Sequence, residues 1–136
     1  MRLVADANVL LSAVLGGRAR AVLEHPQTTE ILTAEATLAE VQEYAAQLAA
    51  KMRLSLDVVL MAVATLPVNV VQREIYEGSS AEARRRIGRR DPDDVEILAL
   101  ALHTGLPLWS NDNDFEDAGI DWYTTAELLA RLGSGR

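Results

Sequence analysis

The hydrophobic pattern of the chain alternates between short β-type runs and longer runs with helical spacing. Residues 34–52 contain no Gly or Pro and repeat Leu38, Val41, Ala45 and Leu48 on one helical face, which makes this segment the clearest helix. Other helical patterns lie at residues 9–24, broken at Gly16-Gly17, and at 56–66, 81–88, 92–104 and 125–132. The β-type runs are residues 2–5, 30–33, 67–71, 106–110 and 122–123.

This alternation predicts an α/β/α sandwich with a mainly parallel central sheet. The chain shows no internal repeat, low-complexity tract or linker, so a single domain over residues 1–136 is expected. Ligands in such folds bind outside the carboxyl ends of the strands. Asp6 directly follows the first predicted strand and Asp112 follows residues 106–110, so both expected positions carry an acid.

Composition narrows the chemistry. The hydrophobic content of 49% is sufficient for one sizeable core. The absence of cysteine excludes disulfides and Cys-based zinc sites and fits a cytoplasmic location. Any metal should therefore be a hard cation bound through oxygen. Asp6 and Asn8 interrupt the only stretch that resembles a signal peptide, and no apolar run reaches membrane-spanning length, so neither export nor membrane insertion is expected.

Four of the places where acidic residues occur stand out as a candidate site. They are Asp6, Glu40, the cluster Asp91, Asp93 and Asp94, and the pair Asp112 and Asp114. Each position has an ordinary explanation as a helix cap, a turn or a solvated helix residue. If the fold brings them together, however, the carboxylates repel one another unless a cation is present. Mg²⁺ or Mn²⁺ would remove this conflict and could activate water for phosphodiester cleavage.

Four segments in this order resemble the PIN-domain nucleases, which include the VapC-like ribonuclease toxins. The segments are VADANVLLSAV, TAEATLAEV, RDPDDVEILALAL and LWSNDNDF, and the resemblance spans nearly the whole chain. It implies a PIN-like fold and a divalent-metal-dependent endoribonuclease. It also implies an RNA substrate, a homodimer and, for a toxin, a small antitoxin whose segment blocks the acidic groove.

The resemblance also implies roles for individual residues. The implied catalytic acids are Asp6, Glu40, Asp94, Asp112 and Asp114, with Asp6, Asp94 and Asp112 as metal ligands and Asp114 as the additional acid beside the last. Glu40 matches the second carboxylate of the pattern, but Glu43 lies one helical turn away and the choice stays open. The implied supporting residues around the ligands are Asn8, Ser110 and Asn111.

The basic run EARRRIGRR precedes the acidic cluster, although the net charge of −7 argues against general nucleic-acid coating. Arg86, Arg89 and Arg90 can share one helical face, and we hypothesise that they hold the RNA backbone. A solvated helix, or pairing with nearby acids, is the alternative. The alternatives for the whole protein are a non-toxin PIN-like RNA-processing, binding or regulatory module, and a metal-dependent phosphatase or phosphotransfer domain.

Overall fold

The computed structural model describes residues 1–88 and 91–134, and within them five strands form one parallel sheet. The strand order is β3-β2-β1-β4-β5. The strands are β1 (Arg2–Ala5), β2 (Glu30–Ala34), β3 (Asn69–Val71), β4 (Leu108–Trp109) and β5 (Trp122–Tyr123). All the pairings between them are parallel, which confirms the predicted sheet.

Helices connect the strands and cover both faces of the sheet. They are α1 (Ala7–Val14), α2 (Ala19–Leu23), α3 (Glu35–Lys51), α4 (Leu56–Ala64), α5 (Arg73–Tyr76), α6 (Ser80–Ile87), α7 (Pro92–Thr104) and α8 (Thr125–Ser134). Short 3₁₀ turns occupy Glu77–Ser79 and Asn113–Phe115. None of the described helices combines the length and the apolar character needed to cross a membrane.

Alternate side chains of β1 enter two different cores, because successive residues of a strand point to opposite faces. Leu3 and Ala5 pack with α1, α2, α3, α4 and α8, whereas Val4 packs with α6 and α7. Helix α7 is buried over Ile97–Ala101, as expected for a helix lying directly on the sheet. The predicted α/β/α sandwich is thereby confirmed.

Helix α5 was not predicted from the sequence. Four residues are too few to show a helical period, and tertiary contacts fix the segment instead. Tyr76 is fully buried and donates a hydrogen bond to Glu96 of α7 over 2.5 Å, and Arg73 forms an ion pair with the same carboxylate at 2.7 Å. These contacts attach the β3–α6 connection to α7.

From β1 the chain first adds β2 and β3 on one side and then adds β4 and β5 on the other side. Open parallel sheets bind ligands at such a switch point, which here lies between β1 and β4. Val4 is paired with Leu108 in the register, and the backbone N–H of Asp6 donates to the carbonyl of Trp109 over 3.0 Å. The carboxyl ends of both strands therefore meet at one edge of the sheet. Asp6 and Ser110, the next residue after each strand, lie there side by side.

Candidate metal centre

A cavity of about 350 Å³ opens at this edge, and all five predicted catalytic acids line it. Its walls come from the β1–α1 junction, α3, the start of α7 and the segment after β4. The lining residues are Asp6, Ala7, Asn8, Leu11, Glu40, Val41, Tyr44, Asp91, Asp94, Asp112 and Asp114. Among these described residues there is no Arg, Lys or His, so no cationic side chain of the lining offsets the carboxylates.

Three of the acids come close enough to share one ion. Each of Asp94, Asp112 and Asp114 offers a carboxylate oxygen, and these oxygens lie within 4.8 Å of one another. Asp94 lies in the first turn of α7, and the other two follow β4. The Asp112 side chain accepts a hydrogen bond from the backbone N–H of Asp114 over 2.9 Å, and this turn holds both acids toward the cavity.

Asp6 is the most deeply buried acid of the group, with 6% of its surface exposed. Its Oδ1 accepts from the N–H of Ala7 over 2.8 Å, and its Oδ2 accepts from Ser110 Oγ over 2.8 Å. Burial raises the pKa of Asp6, and its hydrogen bonds to Ser110 and Ala7 oppose that rise because they favour the ionised form. Asp6 therefore caps α1, which was one of the ordinary explanations open to it, and also lines the cavity.

Ser110 is fully buried, and its hydroxyl group uses every hydrogen bond available to it. The group donates to Asp6 and accepts from Asn8 Nδ2 over 3.1 Å and from the N–H of Asp112 over 3.1 Å. One hydroxyl thus joins the ends of β1 and β4. It fixes the position of Asp6 relative to Asp112.

The two predicted supporting asparagines extend this network to α8. The backbone N–H of Asn111 donates to Asn8 Oδ1 over 3.0 Å. The side-chain Oδ1 of Asn111 accepts from the N–H of Thr125, the first residue of α8, over 2.8 Å. The structure therefore brings Asn8, Ser110 and Asn111 into one network around the acids.

The structure places Glu40 and Glu43 differently relative to the cavity. Glu40 is half-buried and lines the cavity, whereas Glu43 is exposed and does not. Burial, reinforced by the negative charges of Asp93 and Asp6, raises the pKa of Glu40 to about 7. Glu40 is thus the acid of α3 that belongs to the cluster.

The pKa of Asp94 is raised in the same way as that of Glu40. Burial, followed by the charges of Asp6 and Asp112, raises its pKa to about 7. Two carboxyl groups that resist ionisation near neutral pH mark a site with too much negative charge for the groups around it. A set of carboxylate oxygens whose described cavity lining contains no basic side chain is chemically suited to a hard divalent cation.

The three acids Asp91, Asp93 and Asp94 occupy different environments. The Asp91 side chain caps α7 by accepting from the N–H of Asp93 over 2.9 Å, and Pro92 occupies the first helical position. Asp91 also lines the cavity. Asp93 does not line it, and burial together with the charge of Asp91 raises its pKa.

The predicted RNA-binding arginines are only partly described. Arg86 donates to Glu82 Oε1 over 2.9 Å and to the carbonyls of Ala118 and Gly119 over 3.0 and 3.2 Å. These contacts hold its guanidinium against the segment after β4, away from the cavity lining. Arg89 and Arg90 lie outside the described residues, so their part of the hypothesis stays a prediction.

Sequence reasoning did not identify the apolar wall of the cavity. Tyr44 lies one helical turn beyond Glu40, is 47% exposed and lines the cavity. Leu11 lies one turn beyond Ala7 on α1, and Val41 adjoins Glu40. The available signal was helical spacing from the acids themselves, because residues three or four positions apart share a helix face.

We expect Ser110→Ala to lower the free energy of unfolding by about 1–3 kcal/mol, because the partly buried N–H of Asp112 loses its acceptor and the buried carboxylate of Asp6 loses the hydroxyl donor. Urea unfolding measures the change. Ser110→Thr, which keeps the hydroxyl, is the matched variant and should lose less stability. An alanine variant as stable as the wild type would show that water replaces the hydroxyl.

Comparison with known proteins agrees with the fold. No curated protein matches the chain in sequence. A structure from Pyrobaculum aerophilum is similar, with a TM-score of 0.77, 15% identity and coverage of 98% of this chain and 96% of that one. A toxin–antitoxin complex from Klebsiella pneumoniae is similar with a TM-score of 0.66 and 23% identity. The match covers 90% of this chain and 97% of that chain.

A third similar structure is the sarcin–ricin loop cleaving toxin VapC20 of Mycobacterium tuberculosis, with a TM-score of 0.63 and 17% identity. The match covers 87% of this chain and 95% of the chain of that toxin. At these identities the likeness shows the shared fold. The sequence model of the PIN-domain family matches residues 4–133, a range that includes every acid of the cavity. The chain therefore belongs to the PIN-domain family, whose members are generally nucleases.

Proposed function

We propose that this protein is a Mg²⁺- or Mn²⁺-dependent endoribonuclease and the toxin of a toxin–antitoxin pair. The observation that carries the proposal is the convergence of Asp94, Asp112 and Asp114, with oxygens within 4.8 Å of one another, in a cavity that also contains Asp6 and Glu40. Carboxylates alone would repel a phosphodiester. A cation held between them makes the same cavity attractive to it.

Asp94, Asp112 and Asp114 would hold the cation, together with Asp6, which lines the same cavity. Asp6 Oδ2 already accepts from Ser110 and, over 3.3 Å, from Asn8 Nδ2, whereas Oδ1 accepts only from the N–H of Ala7. Because each carboxylate oxygen has two acceptor positions, Oδ1 keeps capacity toward the cavity. When bound, the divalent cation supplies an activated water and compensates for negative charge that develops on the phosphoryl oxygens. Ser110 keeps Asp6 in position throughout.

Glu40 has a different proposed role. It lies on α3, outside the group of three converging acids, and its pKa of about 7 allows its carboxyl group to hold or release a proton near neutral pH. Tyr44 and Leu11 beside it give the cavity an apolar wall. A sugar or base next to the cleaved phosphate could pack against that wall.

The phosphotransfer alternative is less well supported. It needs an aspartate that attacks phosphorus, and Asp6 is the residue at the end of the first strand. Both Asp6 oxygens accept hydrogen bonds and the side chain is almost completely buried, which makes it a poor nucleophile. This environment favours a role in holding a ligand.

The proposed partners are an antitoxin and a second copy of the chain. Helix α4 is apolar on its exposed side as well as its buried side, with Val58 67% and Met61 64% exposed. Apolar surface of this extent commonly marks a site of protein association. Light scattering should give the mass of a dimer for the purified protein; the mass of a single chain at micromolar concentration would contradict the homodimer.

The test of the function is cleavage of a mixed-sequence single-stranded RNA by the purified protein with Mn²⁺, with Mg²⁺ and with EDTA. We expect cleavage with either ion and none with EDTA. If no cleavage occurs, the melting temperature in Mn²⁺ decides between the remaining possibilities. A bound ion stabilises the folded state, by about 2.7 kcal/mol at a hundred times its Kd, and no shift would contradict the metal centre itself.

A further inference from the structure

A second cleft adjoins the acidic cavity. It has a volume of about 330 Å³ and is lined by Ser12, Arg18, Ala19, Asn111, Thr124, Thr125 and Ala126. The two spaces share the α1 helix and the end of β4 as a common wall. Asn8 and Leu11 of α1 face the acids, Ser12 one turn further faces the cleft, and Asn111 lines the cleft while its N–H holds Asn8.

The Gly16-Gly17 turn places Arg18 in this cleft. Gly16 has a φ of +80°, which returns the chain across the end of α1. The N–H of Gly17 donates to the carbonyl of Ser12 over 2.8 Å, and a Cβ at Gly17 would stand 2.4 Å from Ser12 Oγ and 3.0 Å from that carbonyl. A side chain at this position would crowd Ser12, and α2 starts with Arg18 as its N-cap directly beyond Gly17.

Arg18 differs from most basic residues of this acidic protein because its exposed side chain has no ion-pair or hydrogen-bond partner within residues 1–88 and 91–134. The only other described Lys or Arg side chains in that condition are Lys51, Arg53 and Arg84, and none of them lines a cavity beside the acids. The remaining described arginines contact an acid, a carbonyl or an aromatic ring: Arg2, Arg20, Arg73, Arg85, Arg86 and Arg131.

The positive charge of the cleft comes from Arg18 and not from the start of α8. The N–H of Thr124 donates to Glu127 Oε1 over 3.0 Å, and the N–H of Thr125 donates to Asn111 Oδ1. The Thr124 hydroxyl also contacts Glu127, over 3.0 Å. With these groups engaged, the guanidinium is the charged donor that the cleft lining offers to an anionic ligand.

We infer that this cleft binds an RNA phosphodiester flanking the one that is cleaved, with Arg18 as its cationic contact. The inference rests on the proposed function. A strand entering a cavity lined by six acids is repelled wherever the metal does not compensate, so the phosphates on either side need a cation from the protein. Arg18 offers one, across the shared wall from the metal centre.

The experiment compares Arg18→Ala and Arg18→Glu with the wild type and with Lys51→Glu, a matched charge reversal at the end of α3. Binding of a fluorescein-labelled single-stranded RNA should weaken about tenfold in Arg18→Ala, since a hydrogen bond to a charged group is lost. The slope of log Kd against log salt should also fall by about 0.7. In cleavage, KM should rise while kcat stays within about twofold, and Lys51→Glu should leave all of these values unchanged.

The outcomes separate the two proposals. If the wild type cleaves RNA but Arg18→Ala and Arg18→Glu match Lys51→Glu in Kd and salt slope, the inference about the cleft is overturned and the nuclease stands. If the wild type binds RNA without cleaving it, a Kd that is weakened in Arg18→Ala but not in Lys51→Glu still supports the inference, and equal Kd values in both variants overturn it. If the wild type neither binds nor cleaves RNA, both proposals fall. Unchanged melting temperatures would show that the variants remain folded.

Discussion

Asp94→Asn should lower the rate of RNA cleavage by at least about 10²–10³-fold, the cost of losing one preorganised electrostatic group at a reacting centre. Asp94 contributes one of the three oxygens that lie within 4.8 Å of one another, and it comes from a different part of the chain than Asp112 and Asp114. The amide keeps the shape of the side chain but removes its charge. Only two carboxylates of the group would then face the cation.

The measurement is the initial rate on a labelled single-stranded RNA at saturating Mn²⁺. Glu43→Gln is the matched control, because it also converts an acid to an amide and lies on α3 close to Glu40, yet its side chain is exposed and outside the cavity lining. We expect Glu43→Gln to cleave at the wild-type rate. Full activity of Asp94→Asn would remove Asp94 from the centre, and equal losses in both variants would indicate a general effect of charge.

The same Asp94→Asn substitution should make the metal-free protein more stable at pH 8. The pKa of Asp94 is raised to about 7 in the folded chain, above the value near 3.9 of an unfolded aspartate. A carboxyl group with a raised pKa stabilises the fold below the unfolded pKa, and this contribution is lost as pH rises through the folded pKa. Glu40, also with a pKa of about 7, adds to the same loss.

The metal-free wild type should therefore lose stability between about pH 4 and pH 7, and an amide at position 94 should recover part of it. Because Asp94 is only half-buried and partly screened by solvent, we expect a gain of about 1–2 kcal/mol at pH 8 and little gain at pH 4. Thermal unfolding in EDTA across this pH range measures the difference.

Asp117→Asn provides the comparison for this stability effect, since Asp117 is an exposed acid outside the cavity lining. It should change the melting temperature little at any pH. Addition of Mn²⁺ should then reverse the ranking, stabilising the wild type more than Asp94→Asn. If Asp94→Asn were less stable than the wild type at pH 8 without metal, the crowding of negative charge inferred for this cavity would be wrong.

Much of this architecture was open to prediction because it depends on local pattern. The period of apolar residues located β1, β2 and α3. Helix α7 begins at Asp91 and Pro92 and ends at Gly105 in a left-handed conformation, residue types that are typical of helix ends. Helix α5 could not be found this way, since its four residues are held by the contacts of Tyr76 and Arg73 with Glu96. The residues of α5 do not by themselves indicate that Glu96, 20 or more positions further along the chain, will hold them.

The sequence by itself determined the parallel sheet and the acids at the ends of its strands, because alternation and capping act over a few residues. Only the tertiary structure decided which acids meet. It placed Glu40 in the cavity and Glu43 outside, and it joined Asp6 to Asp112 through one buried hydroxyl. It also set Arg18 beside the cavity. These results depend on side-chain directions between distant segments, which the order of strands and the packing of helices fix.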